Sequence, residues 1–171
     1  VCEYLPTYIF VNPQYEREVD KITQIATEDE NEVITLLEDG YRRIQFLPSE
    51  DDMQAIEQLK TIRLDLWEVA RDMDIKDGQF WLNMIVDEAQ IFGWLGSRTD
   101  IQNFARRGRR YGVKSLFLSQ SPQDLCKPIV NNVTHTVLFQ LGTFAKPYYQ
   151  RFHIPIEGEN EWLEKPYHYL V

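Results

Sequence analysis

The stretch LNMIVDEAQIFG, Leu82 to Gly93, decides the fold. Leu82, Met84, Ile85 and Val86 form an apolar run of strand length that ends in two adjacent acids, Asp87 and Glu88. A buried carboxylate costs several kcal/mol unless something compensates it. A strand with only a structural task is expected to stop at a turn or cap. Acids at its end imply that a positively charged group belongs there.

Working outward, the strand FWLNMIVDEA follows Gly78, and a second apolar strand, SLFLSQ, ends in Ser119 and Gln120. Between them lie a Gly-bearing loop, FGWLGSR, and a helix expected from about Thr99 to Arg110, closed at Gly112, the residue type that ends helices. Upstream, TYIFVNP (Thr7 to Pro13) reads as a buried strand and turn. A polar stretch then leads to a short helix ending at Gly40, and YRRIQFLP is a strand stopped at Pro48. SEDD places a capping Ser49 and an acidic first turn before a long helix. On that helix Ile56, Leu59, Ile62, Leu66, Val69 and Met73 recur at helical spacing and predict one core face. Downstream, PQDLCKPIVNN reads as helical, HTVLFQL as a strand, TFAKPYYQRFH as helical or irregular, and YHYLV as a closing strand.

Apolar strands alternating with helices imply an α/β domain whose mainly parallel sheet is sandwiched by helices. At 171 residues, 43% hydrophobic and 13% aromatic, the chain fits a single domain, residues 1–171. A net charge of −9 excludes coating nucleic acid by bulk positive charge, so any such contact must be local. Cys2 and Cys126 are far apart and without zinc-ligand spacing. No apolar run approaches the roughly 20 residues of a membrane span. The expectation is a soluble chain of the cytoplasm.

In a parallel sheet the functional edge is where the strands' carboxyl ends meet. If the Asp-Glu strand and the Ser-Gln strand are neighbours, the carboxylates and the Gln120 amide converge. The first acid, Asp87, can then hold a hydrated Mg²⁺ while Glu88 acts as a base on an attacking water.

These residues also resemble a known family. MIVDEAQ looks like a Walker B motif with a catalytic Glu, and RRGRRYGVKSLFLSQSPQDL resembles the segment that follows it in the HerA/FtsK superfamily of P-loop ATPases. NNVTHTVLFQLG is similar to that family's next strand, so the likeness runs in order from about Thr7 to Gly142. The resemblance implies a RecA-like P-loop NTPase core that binds ATP and Mg²⁺, assembles as a ring homo-oligomer (pentamer or hexamer) and moves double-stranded DNA. By the same resemblance Asp87 would orient Mg²⁺, Glu88 would polarise the hydrolytic water and Gln120 would sense the γ-phosphate. Arg109 would be an arginine finger reaching a neighbouring subunit, with Arg106, Arg107 and Arg110 as alternatives.

Two features depart from the family pattern. No segment reads G-x-x-x-x-G-K-[ST], the phosphate-binding loop of Walker A. The expectation is therefore a core lacking its first strand and P-loop, beginning inside the P-loop helix with Val1 to Leu5, and inactive alone. Asn12 stands where the family often has an Asp, and it reads as a turn-former. The compactness suggests a viral genome-packaging motor meeting a capsid or portal vertex, in the host cytoplasm or virion-associated. The alternatives are a conjugative, DNA-end-processing or filamentous-phage assembly ATPase, or a degenerate, non-hydrolysing interaction domain.

Plainer readings stand beside these. The Arg106, Arg107, Arg109, Arg110 and Lys114 cluster could be a solvated face pairing with the chain's many acids. Gln120 could simply close a sheet edge. His135, His153 and His168 lack partners at ligand spacing, Tyr148, Tyr149 and Phe152 read as packing residues, and GWLGS as a flexible loop.

Overall fold

The computed structural model describes residues 7–76, 78–92, 100–120, 124–135, 138–139 and 169–170. Strands β1 (Tyr8–Val11), β2 (Ile25–Thr27), β3 (Arg43–Phe46), β4 (Leu82–Val86) and β5 (Val113–Phe117) form a 5-stranded sheet in the order β2-β3-β1-β4-β5. Every pairing in it is parallel. The helices are α1 (Glu32–Glu38), α2 (Asp52–Asp72), α3 (Ala89–Phe92), α4 (Ile101–Arg107) and α5 (Lys127–Asn132). A separate antiparallel pair joins β6 (Leu138–Phe139) to β7 (Tyr169–Leu170). The α/β reading with a parallel sheet flanked by helices holds, and both expected late strands form.

The strand order dictates where the helices go. From β2 onward each crossover steps the same way across the sheet, to β3, over β1 to β4, then to β5. Right-handed crossovers in one direction set their helices on one face. Accordingly Ile9, Ile44, Met84 and Val113, from one side of the sheet, share a single buried cluster with Leu36, Leu59, Phe104 and Ile129 of the helices. The other side carries Phe10, Ile85 and Leu116 in register, the last of them exposed.

Helix α2 departs from its expected detail. Its cap is Asp51, whose carboxylate accepts the Gln54 N–H at 2.8 Å, because Asp51 keeps extended backbone (φ −80°, ψ 115°). Ser49 instead accepts the Asp51 N–H at 3.1 Å, shaping the turn before the helix. The buried stripe is also rotated: Leu59, Ile62 and Leu66 lie in it, Ala55, Trp67 and Ala70 complete it, and Met73 is exposed. Each fully buried aliphatic contributes about 1.5–3 kcal/mol.

A charged residue, Arg63, interrupts that stripe. Its guanidinium pairs with Asp100 at 2.6 Å and lies 4.2 Å over the Trp67 ring, which stacks on Tyr111 at 4.3 Å. This stack ties α2 to the start of α4 and to the turn beyond it. Breaking a buried pair from one side leaves an uncompensated charge, costing about 3–5 kcal/mol. We expect Asp100→Ala to destabilise the protein by about that much in denaturant unfolding, and an Arg63→Met, Asp100→Ala double variant to recover a large part of the loss.

The expected helix to Arg110 ends earlier. From Gly108 to Tyr111 the chain tightens into a 3₁₀ turn, and Gly112 closes it in the left-handed region at φ 66°. A Cβ at Gly108 would come 2.9 Å from the Val113 carbonyl oxygen, so glycine lets this turn lie against β5. At Gly112 a Cβ would lie 2.7 Å from both the Gln79 carbonyl oxygen and the Trp81 ring. Strand β2 was not expected, since its 3 residues carry no periodicity. Its position comes from pairing with β3 and from Gln24, whose side-chain oxygen accepts the Arg42 and Arg43 N–H groups at 2.8 and 3.0 Å. Gly112→Ala combines left-handed strain with a clash, and is expected to cost about 2 kcal/mol or more and roughly 4–8 °C of Tm by calorimetry.

Candidate functional site

Parallel pairing brings the ends of β1, β4 and β5 to one edge, and with them Asn12, Asp87 with Glu88, and Ser119 with Gln120. The chain leaves β1 toward β2 on one side and returns to β4 on the other. The β1–β4 boundary is therefore the switch point at which open α/β sheets bind ligands. Asp87 and Glu88 stand directly on it.

Backbone bonds carry the ladder past the strands. The Asp87 N–H donates to the Val11 carbonyl at 3.1 Å, the Leu118 N–H to the Val86 carbonyl at 2.9 Å, and the Ala89 N–H to the Leu118 carbonyl at 2.9 Å. Between these fixed points Glu88 takes the left-handed conformation, φ 45°. For a non-glycine residue this costs on the order of 1–2 kcal/mol. The Asp87 carboxylate offsets part of it by accepting the Glu88 N–H at 2.9 Å. The kink turns the Glu88 side chain inward, and the residue is only 5% exposed.

Its carboxylate is met by amides from two directions. Gln120 donates through Nε2 to Oε1 at 2.7 Å, and Gln90, in α3, donates through Nε2 to Oε2. The Gln90 oxygen in turn accepts the Ser119 hydroxyl at 2.6 Å. The expected convergence of Glu88 and Gln120 across neighbouring strands is thus present. Gln90 and the Ser119 contact were not anticipated. The sequence signal was Gln90 itself, an amide two residues beyond the acid.

Asp87 is half-buried, and its second oxygen has no partner among the described residues. No three His, Cys, Asp or Glu side chains among the described residues converge to hold a metal by themselves. That donor set fits Mg²⁺ of the kind held by one or two carboxylates plus substrate phosphates and water. Asp87 would supply the carboxylate.

The remaining candidates separate cleanly. Asn12 is fully buried, and its amide both donates to the Glu16 carbonyl and accepts the Glu16 N–H, each at 3.2 Å, as a turn-former does. Arg106, Arg107, Arg109 and Arg110 are all exposed and lie before β5, at the opposite end of the sheet from Glu88. Strand β5 has 5 residues, about 13 Å from end to end, so Arg109 lies away from Asp87 and Glu88 of its own chain. Lys114 lies 4.6 Å over the Phe80 ring. Cys126 is buried, and burial pushes its thiol up, away from reactive thiolate. His135 is exposed, with Nδ1 3.1 Å from the Thr134 hydroxyl. GWLGS, Tyr148, Tyr149, Phe152, His153 and His168 lie outside the described residues.

The fold, a parallel five-stranded sheet flanked by helices with acids at its switch point, is that of a RecA-like P-loop NTPase. The chain is similar to the genome packaging NTPase B204 of Sulfolobus turreted icosahedral virus 2. With the AMP complex of B204 it shares 16% identity at a TM-score of 0.67, over 96% of this chain and 76% of that one. With the sulfate complex the values are 14% and 0.65, over 96% and 74%. B204 described as the DNA-packaging ATPase of Sulfolobus turreted icosahedral virus gives 16% and 0.63, over 96% and 76%. No protein-family profile and no curated protein sequence matches the chain. Among the described residues no helix is long and apolar enough to cross a membrane.

Proposed function

We propose that this chain is the core of an ATP-hydrolysing, DNA-translocating motor of the HerA/FtsK type, one that packages a double-stranded DNA genome into a viral capsid. The observation that carries the reading is the Gln120–Glu88 contact at the β4–β5 ends, in a fold shared with B204. B204 is a genome packaging NTPase crystallised with AMP, AMPPCP and ATP-γS, which supports a nucleotide as the ligand of this edge.

In this mechanism Glu88 accepts the proton of the attacking water, and its burial keeps bulk water from competing. Bound Mg²⁺ would supply charge neutralisation for the phosphates. Asp87 would hold it through the oxygen that Glu88's N–H leaves unused. Gln120, bonded to Glu88 and exposed, would report phosphate occupancy to the base. Arg109, at the far end of the sheet, would serve the site of a neighbouring copy, and Arg106, Arg107 and Arg110 are the alternatives on the same segment. The second reading is a non-hydrolysing interaction domain of the same fold.

In the intact gene product, Glu88→Gln is expected to keep ATP affinity and lose turnover by roughly 10²- to 10⁴-fold. Unchanged turnover would remove Glu88 from its role, and a wild-type protein without any turnover would favour the interaction domain. Arg109→Ala subunits should be as inactive as Glu88→Gln subunits, yet mixtures of the two should regain DNA-stimulated hydrolysis at the interfaces that pair an intact Glu88 with an intact Arg109. No recovery at any mixing ratio would show that Arg109 does not act between subunits.

A further inference from the structure

We propose that Gln90 is a positioning residue for Glu88, a second anchor that keeps the carboxylate aimed when Gln120 turns away from it; the inference rests on the hydrolytic role proposed for Glu88. The two amides reach different oxygens from different elements, Gln120 from beyond β5 to Oε1 and Gln90 from α3 to Oε2. They are not equivalent. Gln120 is exposed, whereas Gln90 is half-buried and tied at its other end.

That tie fixes which way the Gln90 amide faces. A carboxylate only accepts hydrogen bonds, so the NH₂ group must face Glu88 and the amide oxygen must face away. Ser119 then has to donate its hydroxyl to that oxygen, as its 2.6 Å contact allows. The result is a relay from Ser119 through Gln90 to Glu88, joining the ends of β5 and β4 independently of Gln120. Each carboxylate oxygen has two lone pairs. One amide on each therefore leaves Glu88 able to take a proton from water.

The division of labour follows from the proposed cycle. A Gln120 amide drawn toward a phosphate loosens its hold on Oε1. A buried, kinked glutamate held by Gln120 alone would then be free to rotate its carboxylate about the last bond. Gln90 holds Oε2 and leaves the plane of the carboxylate set. Gln120 is thereby free to respond to the nucleotide without costing the base its orientation.

The test uses the intact gene product. Gln90→Leu should lower kcat roughly 10- to 100-fold, the range that outer partners of active-site groups command, with KM for ATP within about twofold and Tm close to wild type. Ser119→Ala should lower kcat in the same direction and by less. Structures of the nucleotide-free protein read the anchor directly: in Gln120→Ala the Glu88 carboxylate should remain on Gln90, and in Gln90→Leu with Gln120→Ala it should leave its place. A kcat within twofold of wild type in Gln90→Leu, or a loss of kcat that comes only with a matching fall in Tm and rise in KM, would overturn the proposal. If the wild-type protein turns over no ATP, the hydrolytic reading fails by itself. The carboxylate's position in the double variant then decides whether Gln90 anchors it.

Discussion

A carboxylate at a residue only 5% exposed is the constraint from which the site is built. Glu88 cannot sit there without donors, because desolvating an ionised group costs far more than a single net hydrogen bond returns. Two glutamine amides meet it, from α3 and from beyond β5. The second is available only because β4 and β5 are paired in the register that sets Val86 beside Phe117. A slip of one residue would turn Gln120 to the other side of the sheet. Glu88, its partners and the β4–β5 register therefore stand or fall together.

The same register explains the strained backbone. The Leu118 N–H donates to the Val86 carbonyl past the end of the ladder, and the Ala89 N–H donates to the Leu118 carbonyl. The residue between Asp87 and Ala89 must bend sharply to satisfy both. Glu88 absorbs the bend in the left-handed region. Backbone strain of this kind persists where the surroundings over-determine it. Here four neighbouring hydrogen bonds do so, donated by the N–H groups of Asp87, Leu118, Ala89 and Glu88, the last of them to the Asp87 carboxylate.

Much of this was legible in the sequence, for definite reasons. Apolar runs ending in polar residues marked β1, β4 and β5 because buried parallel strands need no alternation, and Pro48 marked the end of β3. The pairing of the Asp-Glu strand with the Ser-Gln strand followed from their common ending. Other features lie in contacts between distant residues, which no local pattern encodes. Strand β2 is held by β3 and Gln24, the cap of α2 by the backbone angle of Asp51, and the rotated stripe by Arg63 seeking Asp100 and Trp67. The end of α4 at Arg107 reflects Gly108 lying against the Val113 carbonyl, a close approach that reads in the sequence only as one more glycine.

The arrangement of charge sharpens what such a molecule can do alone. The acids occupy the carboxyl edge of the sheet, and the arginines occupy the segment before β5 at the amino edge. That segment is pinned: Tyr111 stacks on Trp67, its carbonyl accepts the Trp81 indole N–H at 2.9 Å, and Gly112 is wedged against Gln79 and Trp81. A side chain so rooted cannot swing about 13 Å along β5 to reach Asp87 and Glu88 of its own chain. On the proposed reading, any positive charge these arginines bring to a transferring phosphoryl group must go to another copy. Hydrolysis would then be a property of the contact between chains. Rigidity of the turn is what would make that contact reproducible, because a finger on a pinned segment loses little freedom when it docks.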